Sequence, residues 1–348
     1  MLEFSLIIQT DQRLSISDVE PQLHNLKELN IPGEIFIVSD KLLLNEERTF
    51  DINPLIKASL VSVKSRSRAT KLNHILRMAS GEIVVLCADD FEISSSAIRA
   101  HLNFHRNEES IKSVCIGLGW IKNKTIYNAW LENQGYLFGY PFKQNAHYER
   151  MKLDFFYGGN TSLKREIFKL TGLFNESCEF DCTDDWLLWR VLKEHGCEFF
   201  HLPNCDVEHI HDVTINQRFI AVIQSGWNMA KLNLAESPLD EDLDQKIKYL
   251  HREFYLTSIK LTNPKKLFTL IEKIGPKLGR MLFEEQVNLN DMYSAKKIYA
   301  HIFLKRNLSI PDFNLIDESI RSSGPINFFR LYGFSGFNHI KKNLINNY

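Results

Sequence analysis

Residues 82–92, EIVVLCADDFE, join a run of apolar residues to two adjacent carboxylates, Asp89 and Asp90. A continuous apolar run of this length is typical of a strand that is buried on both faces of a sheet. Two neighbouring anions repel each other, so this arrangement is costly unless a positive charge lies between or beside them. The stretch therefore predicts a buried strand that ends at a site for something cationic.

Strands and helices alternate around this stretch. The pattern predicts strands at 4–9, 34–40, 59–63 and 82–87, and helices at 19–29 and 69–81, the second stopped by Gly81. Repeated strand–helix–strand units predict an α/β fold with a mostly parallel sheet covered on both faces. Ligands of such sheets bind beyond the carboxyl ends of the strands. Asp40, Asp89 and Asp90 all lie at such ends.

Composition and charge indicate a packed protein with two parts. The 348 residues are 44% hydrophobic and 24% charged, which is ordinary for a soluble protein. From Asn216 onward the chain has 19 Lys and Arg and 13 Asp and Glu, which gives a charge of +6. The net charge of the whole chain is −1, so the residues before Asn216 carry a charge of −7. We expect an α/β domain at 1–213 and a mainly helical C-terminal region at 214–348.

The C-terminal region ends in aromatic and basic residues. Its charge is compatible with peripheral docking on an anionic membrane, and packing on the catalytic domain or a homodimer interface are the simpler alternatives. The aromatic residues in question are Phe328, Phe329, Tyr332, Phe334 and Phe337.

The cysteines and the first residues indicate the compartment. MLEFSLIIQTD lacks the basic region of a secretory leader, and no stretch approaches the roughly 20 apolar residues that span a bilayer. The six cysteines are therefore expected to be reduced thiols in a cytoplasmic protein, with a peripheral position at the inner membrane face as an open alternative. Cys178, Cys182, Cys197 and Cys205 lack a CxxC knuckle, which favours core packing over a zinc site.

Carboxylates at strand ends can bind a hard divalent cation, which in turn holds the phosphates of a nucleotide. The sequence contains no GxxxxGK[ST] motif, and no GxGxxG follows the first strand. These absences argue against a P-loop and a dinucleotide fold. The remaining mode of nucleotide binding is one in which a metal ion holds the diphosphate and no glycine-rich loop surrounds it.

Three segments resemble the family 2 glycosyltransferases of the GT-A fold. Residues 69–90, ATKLNHILRMASGEIVVLCADD, look like their Asn-containing helix, Gly-Glu, apolar strand and DxD motif. Residues 157–176, YGGNTSLKREIFKLTGLFNE, look like their Gly-Gly-Asn segment, and residues 183–196, TDDWLLWRVLKEHG, are similar to their Thr/Gly-Glu-Asp element. HIHD at 209–212 is similar to the chondroitin-polymerase-like and polypeptide N-acetylgalactosaminyltransferase-like branches. The match covers roughly residues 3–212 and implies a Rossmann-like GT-A domain with a helical C-terminal extension.

The resemblance implies a set of site residues, with one departure from the DxD motif. Cys87 stands where the family has its first Asp, which leaves Asp89 as a ribose or metal contact and Asp90 as a metal ligand, with His209 or His211 as a further ligand. Asp185, beside Asp184, is implied as the base that deprotonates the acceptor. The implied donor-binding residues are Thr10, Asp40, Arg68, Asn73, Asp89, Gly158, Gly159 and Asn160.

The expected function is a metal-dependent, inverting glycosyltransferase that uses Mn²⁺ or Mg²⁺. The donor is a nucleotide-diphospho sugar, with UDP-sugars as the family's commonest donors, and the acceptor is a saccharide, a lipid-linked saccharide or a peptide. No nucleic-acid partner is expected. Two alternatives stay open. A sugar-nucleotide nucleotidyltransferase would need a glycine-rich loop that QTDQRLSIS (9–17) lacks, and a degenerate nucleotide-sugar-binding scaffold is suggested by Cys87.

Overall fold

The computed structural model describes residues 2–10, 23–40, 48–121, 151–153, 156, 158–180, 183–209, 214–234, 242–260 and 264–322. The described residues divide into two compact units, one that ends at 209 and one that starts at 214. The functional division into residues 1–213 and 214–348 stays a prediction.

The first unit is built around strands. They are β1 (Phe4–Gln9), β2 (Gly33–Ser39), β3 (Arg48–Asn53), β4 (Ile56–Ser62), β5 (Ile83–Ala88), β6 (Phe91–Glu92), β7 (Ser113–Ile116), β8 (Gly119–Ile121), β9 (Met151–Leu153), β10 (Asn160–Lys164), β11 (Glu198–His201) and β12 (Val207–His209). The helices are α1 (Arg68–Met78), α2 (Ser95–Asn107), α3 (Ile167–Thr171) and α4 (Thr183–Glu194), with a 3₁₀ turn at Pro203–Cys205.

Nine of these strands form one sheet in the order β3-β4-β2-β1-β5-β10-β7-β11-β9. Six strands run in one direction, and β3, β9 and β10 run in the other. The remaining three form a small sheet in the order β6-β12-β8. The predicted fold class is confirmed: the chain is α/β, with a mostly parallel central sheet flanked by helices.

Helices cover both faces of the central sheet. Successive side chains of a strand point to opposite faces, and in β1 Leu6 and Ile8 belong to one apolar cluster while Ile7 belongs to the other. Helix α2 contributes Ile98 to the first cluster, and α1 contributes Leu72 to the second. Burial on both faces explains why these strands are continuous apolar runs in the sequence.

The predicted strands are present as β1, β2, β4 and β5, whereas β3 was not predicted. Strand β3 pairs antiparallel with β4 at the edge of the sheet. Its sequence, RTFDIN, mixes polar and apolar residues because an edge strand is not buried on both faces. The hydrophobic pattern therefore carries little signal for it.

The two predicted helices differ from the structure in their bounds. Helix α1 ends at Met78 and is capped by Ala79, so the prediction that Gly81 stops it is wrong. A Cβ atom at Gly81 would lie 2.2 Å from the backbone carbonyl carbon of Phe4, so this glycine serves close chain packing. For the helix predicted at 19–29, residues 19–22 lie outside the described residues, and from Leu23 to Leu29 the chain forms mainly hydrogen-bonded turns.

The second unit is helical in its described part, as the sequence predicts. Its helices are α5 (Ile215–Lys231), α6 (Leu243–Ser258), α7 (Pro264–Glu284), α8 (Leu289–Met292), α9 (Ala295–Ile302) and α10 (Phe313–Ser322). Phe219, Phe254 and Tyr299 belong to an aromatic cluster at its centre. None of the described helices has the length and apolar character needed to cross a bilayer. The aromatic residues predicted for membrane contact lie beyond residue 322, outside the described range.

Candidate functional site

Three neighbouring parallel strands are each followed by a polar residue at their carboxyl-terminal ends. Thr10 follows β1, Asp40 follows β2, and Asp89 follows β5, with Gln9 of β1 opposite Val38 and Ala88. The buried hydroxyl of Thr10 donates a hydrogen bond of 2.5 Å to Oδ2 of Asp89. The structure therefore brings together Thr10, Asp40 and the Asp89–Asp90 pair, at the place where open α/β sheets bind ligands.

A buried lysine lies next to Asp40. Nζ of Lys71, on α1, is 3.7 Å from Oδ1 of Asp40, and the Lys71 side chain is fully buried. Oδ1 of Asp40 is itself buried and has no hydrogen-bond partner. Buried charges of one sign are normally compensated by charges of the other. Lys71 is not among the site residues that the sequence predicts; its spacing of four residues from the buried Ile75 is the signal that could have shown its burial.

Cys87 points into the apolar core and not toward the strand end. Its side chain is buried within the apolar cluster on one face of the sheet, and its thiol donates to the carbonyl oxygen of Ala88 at 3.3 Å. Burial, with Asp90 and Asp89 adding to it, raises the pKa of the Cys87 thiol well above its ordinary value. A neutral thiol is a poor ligand for a hard cation. Within this motif, Asp89 and Asp90 are therefore the residues whose side chains could hold a hard cation.

Asp89 and Asp90 are half-buried and offer oxygen donors, which suit Mg²⁺ and Mn²⁺. His209 reaches the same place through the backbone, because β12 pairs with β6 and sets His209 opposite Phe91. The side chain of His209 and all of His211 lie outside the described residues, so the predicted third ligand stays a prediction. Among the described side chains, no third ligand atom forms a cluster with the Asp89–Asp90 pair.

A second carboxylate pair starts helix α4 and is bound by one arginine. Nη1 of Arg68, on α1, lies 2.8 Å from Oδ2 of Asp184 and 2.7 Å from Oδ1 of Asp185. Asp184 is buried, and its Oδ1 has no hydrogen-bond partner. Burial raises the pKa of Asp184; the nearby Arg68 opposes this shift, and the Asp185 charge adds to it. One cation thus serves two anions that the N-terminus of α4 also favours.

The Gly158–Gly159 segment joins this carboxylate pair to the end of β5. The backbone N–H of Gly158 donates to Oδ2 of Asp185 at 3.1 Å, and the N–H of Ala88 donates to the carbonyl of Gly159 at 2.8 Å. A Cβ atom at Gly158 would lie 2.5 Å from both Arg68 Nη2 and Asp185 Oδ1. A larger residue here would require Arg68 and Asp185 to shift, so Gly158 permits this close approach.

Two predicted donor-binding asparagines have structural partners instead. Both amide hydrogens of Asn73 are used, at 2.8 Å each, by the carbonyl of Phe174 and the carboxylate of Glu176. Asn160 is fully buried, donates to the carbonyl of Cys205 and contacts His101. These hydrogen bonds show that Asn73 fixes the loop after α3, and its contact with a sugar donor stays a prediction. Asn160 fixes the chain that follows Gly159.

The two tryptophans of α4 differ in what they contact. The Arg190 guanidinium stacks over the half-buried Trp186 ring at 4.9 Å, whereas Trp189 packs against the apolar core. Trp186, next to Asp185 in the chain, is thus the better placed of the two for contact with a sugar. Cys178, Cys197 and Cys205 are buried and reduced, as predicted, while Cys182 lies outside the described residues.

No family model and no curated protein matches the sequence. Among solved structures, the chain is similar to the crystal structure of GalNAc-T7 with UDP, GalNAc and Mn²⁺, at 12% identity and a TM-score of 0.46, over 84% of this chain and 58% of that one. It is also similar to S. aureus TarS 1–349 in complex with UDP-GlcNAc, at 14% identity and a TM-score of 0.43, over 82% of this chain and 92% of that one. The structure of TarS 1–349 in complex with UDP is similar at 11% identity and a TM-score of 0.43, over 83% of this chain and 93% of that one. At these values the function has to be inferred from this chain's own residues.

Proposed function

We propose that this protein is a metal-dependent glycosyltransferase of the GT-A type. Its sugar comes from a nucleotide-diphospho sugar, and a UDP-sugar is the first candidate for this donor. One observation carries the proposal. Asp40 and Asp89–Asp90 follow β2 and β5, the two strands that flank β1, and the Gly158–Gly159 segment connects a second carboxylate pair to the end of β5. The first group suits a nucleotide and its metal, and the second suits an acid–base step.

On the donor side, Asp40 would accept a hydrogen bond from the base or the ribose, and Lys71 would hold its carboxylate in place. Thr10 fixes one oxygen of Asp89, so that the carboxylate has a defined orientation. Asp90 and Asp89, with His209 or His211, would hold Mn²⁺ or Mg²⁺. Such an ion supplies Lewis-acid stabilisation of the leaving diphosphate.

On the acceptor side, Asp185 would take the proton of the attacking hydroxyl. The acceptor oxygen forms a bond to the anomeric carbon while the bond from that carbon to the diphosphate oxygen breaks, and a single displacement inverts the anomeric centre. Asp185 suits this role better than Asp184, because its side chain is 17% exposed against 1%. Its partner Arg68 would transfer to the diphosphate when the donor binds, which frees the carboxylate to act as the base.

The acceptor is proposed to be a saccharide, a lipid-linked saccharide or a peptide, and residues 214–348 are proposed to contact it, a membrane surface or a second copy of the chain. A cytoplasmic location, with membrane contact at the inner face, fits this proposal. UDP, a sugar and Mn²⁺, the ligands named for GalNAc-T7 and TarS, belong to the ligand class proposed here.

The test is release of free nucleotide from a panel of UDP-, GDP- and dTDP-sugars, with Mn²⁺ and the full chain. Asp185→Asn should lower turnover by about a hundredfold or more while nucleotide binding persists, because it removes the base and keeps the shape. Asp51→Asn, an exposed carboxylate of edge strand β3, is the matched control and should retain full turnover. Equal turnover in the Asp185→Asn variant and the control would contradict the assignment of the base.

A further inference from the structure

Three buried side chains with metal-ligating atoms converge on the sheet face covered by α2. They are His101 on α2, Cys115 on β7 and Cys205 at the end of the 3₁₀ turn, and each is fully buried. Their ligand atoms all lie within 4.8 Å of one another. Among the residues that the structure describes, no other group of three His, Cys, Asp or Glu side chains has its ligand atoms this close together. None of the three takes part in the proposed transfer reaction.

The spacing of the two sulfur atoms suits a tetrahedral ion. Sγ of Cys115 and Sγ of Cys205 are 3.6 Å apart. Two thiolates bound to zinc at about 2.3 Å with a tetrahedral angle lie about 3.7 Å apart. An imidazole beside both sulfurs gives a Cys₂His set, which belongs to the ligand combinations that zinc prefers.

We propose that His101, Cys115 and Cys205 bind a zinc ion that stabilises the first unit. Two thiolates would neutralise the dication, so the complex would be buried without net charge. Metal binding would replace thiol protons, as it does at other thiolate sites.

The imidazole of His101 already has the environment of a ligand. One ring nitrogen contacts Oδ1 of Asn160 at 3.0 Å and the other contacts Oγ of Ser162 at 2.9 Å. When one nitrogen turns to the ion, the other keeps its hydrogen bond, and such a bond orients most metal-bound histidines. The oxygen released in this exchange would be available as a fourth ligand. Ser162 would keep its second partner, His105, at 2.9 Å.

The ion would hold together three elements that support the candidate active site. Helix α2, strand β7 and the 3₁₀ turn at Pro203–Cys205 each supply one ligand. The turn leads directly into β12, which sets His209 opposite Phe91, and Asn160 bridges Cys205 to the chain after Gly159. The site is separate in chemistry from Asp89–Asp90, because thiolates select soft or borderline cations and carboxylates select hard ones.

The experiment uses the full chain, purified under reducing conditions without chelator, and measures its metal content. About one equivalent of zinc per chain is expected. After removal of metal with a chelator, titration with Co²⁺ should give thiolate-to-cobalt charge-transfer absorption that saturates near one equivalent, and zinc should raise Tm. Absence of zinc together with absence of this absorption would overturn the proposal and leave a hydrogen-bonded thiol pair.

Variants assign the ligands. Cys115→Ser and Cys205→Ser should each abolish the charge-transfer band and the zinc-dependent rise in Tm. Cys197→Ser removes another buried thiol outside the cluster and should retain both. If the cluster variants fail to fold, zinc release from the wild-type chain by a mercurial thiol reagent replaces them: stoichiometric release supports the site, and none overturns it. Nucleotide binding is not a readout, so failure here leaves the proposed transferase activity untouched.

Discussion

The guanidinium of Arg68 lies 2.7 Å from the carboxylate of Asp185, on a helix more than a hundred residues further along the chain. The same nitrogen also contacts Asp184, so one cation holds two adjacent anions at the start of α4. All three side chains are largely buried, with Arg68 only 12% exposed. The contact therefore joins helix α1 to the proposed catalytic base and contributes to the fold as well as to the chemistry.

Replacement of Arg68 should destabilise the protein strongly. Arg68→Ala leaves two neighbouring carboxylates without their counter-charge, and loss of one partner of a buried ion pair costs about 3–5 kcal/mol of unfolding free energy. Chemical denaturation at pH 7 measures this. Arg66→Ala, an exposed position two residues away, is the control and should cost less than about 1 kcal/mol. Equal effects of the two variants would contradict the account.

The raised pKa of Asp184 predicts a pH-dependent stability difference. The pKa of Asp184 is higher in the folded chain than in the unfolded chain. Its contribution to stability is therefore complete at pH values below the ordinary pKa of 3.8, and it is lost as the pH rises through the pKa of the folded state. The unfolding free energy of the wild type minus that of Asp184→Asn should therefore fall as pH rises from 4 to 8. A constant or rising difference would show that Asp184 is not a proton-binding group of the folded state.

His105 should make the protein sensitive to acid. Burial, together with the neighbouring His101 and Lys164, lowers the pKa of His105 to about 3, against a hydrogen bond with Ser162 that raises it. A depressed histidine pKa gives stability that is complete above the unfolded value of about 6.5 and is lost as pH falls toward 3. His105→Gln should remove about one proton, or about 1.4 kcal/mol per pH unit, from the slope of unfolding free energy in this window. An unchanged slope in the variant would contradict the assignment.

The hydroxyl of Thr10 should matter for metal-dependent nucleotide binding. Thr10→Val keeps the shape and removes the donor to Asp89, which leaves a carboxylate oxygen facing a methyl group at a cost of about 1–3 kcal/mol. The Kd for a nucleoside diphosphate with Mn²⁺ should rise about tenfold or more. Thr10→Ser keeps the hydroxyl and should bind like the wild type. Equal affinities of the Val and Ser variants would show that this hydrogen bond does not orient the site.

Lys71 is expected to act on the nucleotide through Asp40. Lys71→Met fills the same buried space without a charge, so Asp40 loses the cation that holds it, and nucleotide affinity should fall about tenfold. Lys57→Met, at an exposed position of strand β4, is the control and should leave affinity unchanged. Wild-type affinity in the Lys71→Met variant would show that the pair has only a structural role.

The sequence predicted much of the sheet because its central strands are buried on both faces. Apolar runs marked β1, β2, β4 and β5, and the residues that follow them gave Thr10, Asp40 and the Asp89–Asp90 pair. Strand β3 carries no such run, since it lies at an edge. A hydrophobic pattern predicts a strand when the strand is buried, and it gives no prediction when the strand is half exposed.

The partners of the site residues could not be predicted in the same way. Asn73 was assigned to the donor, whereas its amide is used by a loop about a hundred residues away. Lys71 was not among the predicted site residues, and it is fully buried beside Asp40. Arg68 was assigned to phosphate, and it pairs here with Asp184 and Asp185. Each of these contacts joins segments distant in sequence, and local patterns contain no information about which distant segment meets them.

Calorimetric titration of nucleoside diphosphates, with and without Mn²⁺, tests the central claim most directly. The wild type would be compared with Asp90→Asn and with the exposed control Asp51→Asn. The account predicts that one nucleotide binds only with Mn²⁺ and that this binding is lost in Asp90→Asn and kept in the control. Equal binding without metal, or binding that Asp90→Asn does not change, would contradict a metal-bridged diphosphate at the end of β5.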